Sequence, residues 1–330
     1  MTTEFRTIQK TLNYRGLINH RKRLMMIGSC FSDNIGQRLV NAFFDVNINP
    51  FGTLYNPASI ARGISDILSH RVFTQEDLFQ ASQDNRYYSF SHHSDFSCCD
   101  ASEMLELMNE RLTVAHDYLI GGNLLIVTFG TAYVYRLNNS GNVVANCHKQ
   151  PSAMFSRQLL EVDDIVAEWL PLIDRLRQQN PELKIIFTVS PIRHLADGAH
   201  DNQLSKSTLH LAIDRLVKRC EGLIYFPAYE IMNDDLRDYR FYATDMAHPT
   251  DVAIDYIYDI FGRSFYDDAT QLLSASCEKA SRRLHHRHRT DDTETIARFN
   301  RGTVEILEQL KREHPELSHR CDVEIKKIGI

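Results

Sequence analysis

No run of this 330-residue chain is apolar for long enough to cross a membrane. The opening Met1-Thr2-Thr3-Glu4-Phe5-Arg6 lacks the basic-then-apolar pattern of a secretory signal. Both absences lead to the expectation of a cytoplasmic protein with no membrane partner. The seven cysteines are an odd number without a C-x-x-C pair, and Cys98-Cys99 are adjacent, which suits neither chelation nor a disulfide. Reduced thiols are therefore expected. There is no G-x-S-x-G elbow, which disfavours an ordinary α/β-hydrolase, and no P-loop, G-x-G-x-x-G, H-E-x-x-H or internal repeat. Positive charge is in deficit as well: the formal net charge of −6 argues against nucleic acid as the main partner. These absences narrow the field toward metal-free chemistry, with no cofactor expected.

What is present is ordinary in bulk, at 43% hydrophobic and 24% charged residues, with room for one large α/β domain and an appendage. The most informative stretch is Gly28-Ser29-Cys30-Phe31-Ser32. Before it, Leu24-Met25-Met26-Ile27 reads as a buried strand. After it, Ile35, Leu39, Val40, Phe43 and Phe44 recur at helical spacing. A hydroxyl on a tight strand-to-helix turn stands above the sheet beside amides that the helix cannot satisfy internally. That position suits a nucleophile whose transition state carries an oxyanion. Far downstream, Asp245-Met246-Ala247-His248-Pro249 offers a base and its orienter on one turn. Each half also has a plain structural reading. Ser29 fits a helix N-cap, and Asp245 and His248 fit a helix start next to Pro249.

Further strands are expected near Val46–Ile48 and at Leu124–Phe129, Ile185–Val189 and Leu223–Phe226. Helices are expected from Leu159 to Leu176 and from Leu209 to Cys220. The alternation predicts a parallel sheet with helices on both faces, its ligand crevice outside the carboxyl ends of the strands. Ser29, Gly130, Pro191 and Pro227 all fall there. The aromatic- and His-rich stretch 74–110 breaks the alternation and is expected to shape the crevice as a partial lid. Beyond about residue 265 comes the basic run Arg282 to Arg289, with His285, His286 and His288, read as a solvated face. A helical pattern follows from Thr293 to Arg312.

The chain resembles the GSCFA-domain family, a branch of the SGNH (GDSL-like) hydrolase superfamily, over roughly residues 5–265. The resemblance rests on Gly28-Ser29-Cys30-Phe31, Asn49 to Pro57, Phe129-Gly130-Thr131-Ala132, Asn146-Cys147-His148-Lys149, Ser190 to His194 and Asp245-x-x-His248. Ser32 stands where the family pattern has Ala. The resemblance implies a three-layer α/β/α sandwich around a mostly parallel five-stranded sheet (1–265), followed by a helical extension (266–330). It implies a Ser29–His248–Asp245 triad acting on a small acyl ester, such as an O-acetylated sugar or metabolite.

Superfamily oxyanion holes combine the serine amide, a glycine amide and an asparagine side chain. Ser29 and Gly52 match the first two, but Ala132 replaces the asparagine, so Asn146 and then Thr131 become the candidate third donors. His93, His148, Arg193 and His194 are candidate pocket residues, with loop-holding as the alternative for each. Cys30 is a rival nucleophile, set aside because the residue after the serine is expected to face the helix packing. An O-acyltransferase and a non-catalytic binding protein are the other functional readings.

Overall fold

The computed structural model describes residues 7–81, 84–287 and 292–328. Its centre is a five-stranded sheet whose strands are β1 (Arg23–Gly28), β2 (Asp45–Ile48), β5 (Leu124–Phe129), β9 (Lys184–Val189) and β10 (Leu223–Phe226), in the order β10-β9-β5-β1-β2. The β1–β5, β5–β9 and β9–β10 pairs are parallel, with Gly28 beside Thr128 and Phe129 beside Val189. Strands of four to six residues rich in Ile, Leu, Val and Met are what a sheet buried on both faces requires. Met25, Ile27, Leu125, Val127, Phe129, Ile185 and Phe187 pack in one core with residues of α2 (Pro57–Leu68), α3 (Ala101–Gly121), α4 (Val162–Gln179) and α5 (Ala199–Arg219). The alternate residues Leu24, Met26, Ile126 and Ile186 point the other way and are equally buried. The result is the expected α/β sandwich with C-terminal helices.

Numbered from the amino end, the central strands lie 2-1-3-4-5, so the direction of winding reverses between β1 and β5. A crevice opens at such a reversal, because the connections from the two strands leave on opposite faces. β1 ends at Gly28 and passes into α1 (Cys30–Asn41), while β5 ends at Phe129. The serine turn and the Gly130 turn therefore flank the reversal.

Three elements differ from the sequence reading. Phe155–Leu159 (β8) is a strand that pairs antiparallel with β6 (Tyr133–Leu137), and β6 also pairs with β7 (Val143–Val144). The helix expected from Leu159 consequently starts at Val162, behind a Glu161/Asp164 capping box. α5 begins at Ala199, ten residues before the expected start, because its first turns present polar residues on the buried face. The stretch 74–110 holds a short antiparallel pair, β3 (Phe79–Gln80) with β4 (Tyr87–Tyr88), and the start of α3.

The chain forms two compact units. The first takes Leu24–Gly36, Asn47–Tyr258 and the described residues before Thr11. The second takes Thr11–Arg23, Gln37–Val46 and the described residues from Asp259 onward. It includes the end of α7 (Asp251–Phe265), which follows the short α6 (Ala228–Glu230), then α8 (Asp268–Leu284), α9 (Thr293–Glu313) and α10 (Ser318–Ile328). In it Phe43 packs with Leu273, Cys277, Leu307, Leu317 and Cys321. The helical unit is thus completed by two segments from the first fifty residues.

The basic run belongs partly to α8. Arg283 donates to Thr303 Oγ1 and to the Phe299 carbonyl (both 3.1 Å) and lies over the Phe299 ring, joining α8 to α9. His288 and Arg289 lie outside the described residues. Among the described residues, no helix is long and apolar enough to cross a membrane.

Candidate active site

Ser29 follows β1 directly. Gly28 there has φ of +146° and would place a Cβ on the Thr128 carbonyl, so only glycine lets β1 and β5 lie this close before the turn. The Gly28 amide is held by Asn49 Oδ1 (2.9 Å), and Asn49 Nδ2 is held in turn by Asp33 (2.7 Å). Ser32, the departure from the family pattern, donates to Thr128 Oγ1 (2.8 Å) and stitches α1 to β5.

Ser29 lies on a cleft of about 830 Å³ together with His248. The Ser29 hydroxyl accepts from the Phe31 amide (3.3 Å). Among the described residues, no hydrogen bond joins it to His248.

His248 and Asp245 form a self-contained turn. Asp245 Oδ1 accepts the amides of Ala247 and His248 (3.0 Å each), and Oδ2 lies 2.6 Å from His248 Nδ1. The backbone donors of His248 and Ala247, then the imidazole, push the exposed Asp245 carboxyl down to about 2, so it is an anion at any ordinary pH. Nδ1 is thereby committed to the carboxylate, and Nε2 is the nitrogen left for chemistry.

Cys30 corrects one expectation. It lines the cleft instead of facing into the helix packing. Burial, then the Asp33 charge, pushes its thiol up to about 11, outweighing the helix-end effect that lowers such groups, so it stays protonated at neutral pH.

The other candidates divide. Thr131, Asn146, Arg193 and His194 line the cleft; Gly52, His93 and His148 do not. Gly52 closes a turn with its N–H on the Asn49 carbonyl (2.8 Å), and its Cα abuts the His93 side chain, so this amide does not face Ser29. His148 is buried, with Nε2 on the Ser89 carbonyl (2.8 Å), and it packs against Tyr88 and Phe79; burial lowers its pKa. His93 Nδ1 lies 3.1 Å from the Asp95 carboxylate and 3.4 Å from the Asp95 amide. Both histidines hold the loop together.

Arg193 donates to Asn233 Oδ1 (2.8 Å). His194 is pushed down to about 4 by burial first, then by Lys206, His248 and Arg157, and is neutral at pH 7. The Ser29 amide points at the Thr128 carbonyl (3.3 Å). The Thr131 amide is given to the Tyr55 carbonyl (3.0 Å), and its hydroxyl is shared with Ser205 and the Tyr133 amide. Asn146 accepts from the His148 amide and donates weakly to Ser94 (3.5 Å).

The cleft wall is not the 74–110 stretch, none of whose described residues line it, but the small β6-β7-β8 sheet and the loop 190–197. The alternation of β6 and β8 turns Tyr133, Tyr135 and Arg157 to one face, with Tyr135 opposite Arg157 and the guanidinium 3.6 Å from the Tyr133 ring centre. Arg157 also pairs with Asp197 of the facing loop.

Lys206 was not singled out in the sequence. It is fully buried, and its Nζ donates to the carbonyls of Gly130 (2.6 Å) and Ser190 (2.8 Å), tying together the ends of β5 and β9. Burial lowers its pKa to about 7. The signal was its register. Asn202, Ser205 and Lys206 continue toward the N-terminus the stripe formed by Leu209, Ala212, Ile213 and Leu216.

The chain is thus a doubly wound α/β sandwich with a serine on its first strand-to-helix turn, in one cleft with an aspartate-held histidine. The chain belongs to the GSCFA family, whose sequence model matches residues 23–261. No curated protein matches it. Similar solved structures include a family 3 carbohydrate esterase from Clostridium thermocellum (10% identity, 77% of this chain and 98% of that one, TM-score 0.36). Another is a family 3 carbohydrate esterase from Talaromyces cellulolyticus (11%, 77% and 99%, 0.36). A third is an acetyl xylan esterase from the rumen bacterium Butyrivibrio proteoclasticus (12%, 77% and 66%, 0.38).

Proposed function

We propose that the chain is a serine esterase that removes a small acyl group from an alcohol oxygen, as in an O-acetylated sugar or related metabolite. Ser29 Oγ attacks the ester carbonyl while His248 Nε2 takes its proton. Asp245, already an anion, holds the imidazole by Nδ1 and stabilises the imidazolium. The imidazolium then protonates the departing alkoxide, leaving an acyl–Ser29 ester. A water activated by His248 releases the carboxylic acid and restores the serine. The observation that carries this reading is the meeting of Ser29 and the Asp245-bound His248 on one cleft, although 219 residues separate them. The Tyr133–Tyr135–Arg157 face supports an alcohol part with hydroxyls and a ring to stack.

Treatment with a fluorophosphonate followed by peptide mass spectrometry tests the nucleophile. Wild type is expected to carry the adduct on Ser29. Ser29→Ala is expected to carry none, and His248→Ala to react at least about 100-fold more slowly. Folded wild type that takes up no adduct sinks the proposal. Adduct on Cys30 instead moves the chemistry to a thiolate. In an acyl-ester panel with an added alcohol, acyl recovered on that alcohol rather than as free acid marks a transferase.

A further inference from the structure

An oxyanion forming at Ser29 needs donors that no other acceptor already holds. The amides of Ser29, Gly130 and Thr131 each point at a backbone carbonyl, and the Ala132 amide is given to Ser205 Oγ (2.8 Å). A side chain placed beside the serine turn supplies another donor. Asn56 is 5% exposed and lines the cleft with Ser29.

Its position is built tightly. Leu54 donates to the carbonyl of Gly28 (2.9 Å), the residue before the serine, and the Tyr55 carbonyl is clamped by the Gly130 and Thr131 amides (2.8 and 3.0 Å). A Cβ on Gly130 would touch both the Tyr55 carbonyl (2.9 Å) and Ser29 Cβ (3.3 Å), so the chain leading into Asn56 runs directly past the serine. Asn56 Oδ1 accepts the Ser59 amide (2.8 Å) as N-cap of α2. An atom facing an N–H must be the oxygen, so the cap settles which end of the amide is which. Nδ2, with two N–H donors, then has no partner among the described residues.

We infer that Asn56 Nδ2 is a donor of the oxyanion hole, the place for which the sequence suggested Asn146 or Thr131. The inference rests on the esterase reading. Asn56 becomes bifunctional: its oxygen fixes the start of α2, and α2 in return holds its nitrogen toward the tetrahedral intermediate.

Asn56→Ser separates the two roles, because serine caps a helix as well as asparagine does but is too short to reach the oxyanion. With p-nitrophenyl acetate, kcat is expected to fall about 100- to 1,000-fold, with KM changed by less than about threefold. Affinity for a trifluoromethyl ketone that mimics the intermediate is expected to fall by a similar factor. The melting temperature is expected to stay within a few degrees of wild type. If Asn56→Ser destabilises the fold, Asn56→Asp keeps a full cap and gives the same reading of kcat and ketone affinity. Wild-type kcat in either folded variant overturns the role of Asn56 and leaves the esterase reading standing. Loss of kcat without loss of ketone affinity also overturns it. Wild-type protein that hydrolyses no ester overturns both.

Discussion

Lys206 shows how one residue holds the cleft in shape. Its Nζ lies in a fully buried site and donates to two carbonyls at the ends of adjacent strands. Lys206→Met is expected to leave both carbonyls without a donor and to cost about 1–3 kcal/mol in a denaturant titration. The pH dependence has a definite sign. With its pKa lowered to about 7 in the fold and near 10.5 in the unfolded chain, Lys206 is neutral in the native state and protonated in the unfolded state between those values. Its contribution to stability is therefore fullest above the unfolded pKa and is lost as pH falls toward 7. Wild type is expected to gain on Lys206→Met as pH rises from 7 to 10; a constant difference would show that the site does not penalise the charge. His194, buried and neutral at pH 7, adds no positive charge beside it.

At the scale of the element, the β1-to-α1 turn is the piece on which everything else depends. β1 and β5 approach so closely at Gly28 and Thr128 that a side chain at Gly28 has no room, and φ of +146° is closed to other residues. Gly28→Ala is expected to destabilise by ~3 kcal/mol through the clash and the strained backbone together. It should also slow fluorophosphonate labelling of Ser29. A stable variant with unchanged labelling would mean that the turn tolerates a shift. The small β6-β7-β8 sheet is the second decisive element, since its period-two alternation selects which side chains reach the cleft.

At the scale of the molecule, the C-terminal helices are not an independent appendage. The unit they belong to also contains Thr11–Arg23 and Gln37–Val46, and its core includes Phe43. Truncation after Tyr266 removes every partner of Phe43 in that core and is expected to give protein that melts more than about 5 °C lower or aggregates, read by thermal shift and size exclusion. Unchanged melting and elution would show that the N-terminal segments close on their own.

Whatever depends on neighbours along the chain is legible before the chain folds. The sequence set the buried strands through their β-branched and aliphatic runs, the serine turn through Gly28-Ser29, and the Asp245–His248 pair, whose three-residue spacing lets one turn join them. The 2-1-3-4-5 order follows from no local pattern, and it is that order which brings the turns after β1 and β5 to one crevice. Tertiary contacts alone bring Cys30 into the cleft, keep Gly52, His93 and His148 out of it, and leave Asn56 Nδ2 without a partner among the described residues. Lys206 is the mixed case, legible in register as a member of a buried stripe but explained only by the two carbonyls it meets. The difference is one of reach. Periodicity and turn chemistry act over a few residues, whereas a hydrogen bond to a distant carbonyl exists only once the sheet has chosen its neighbours.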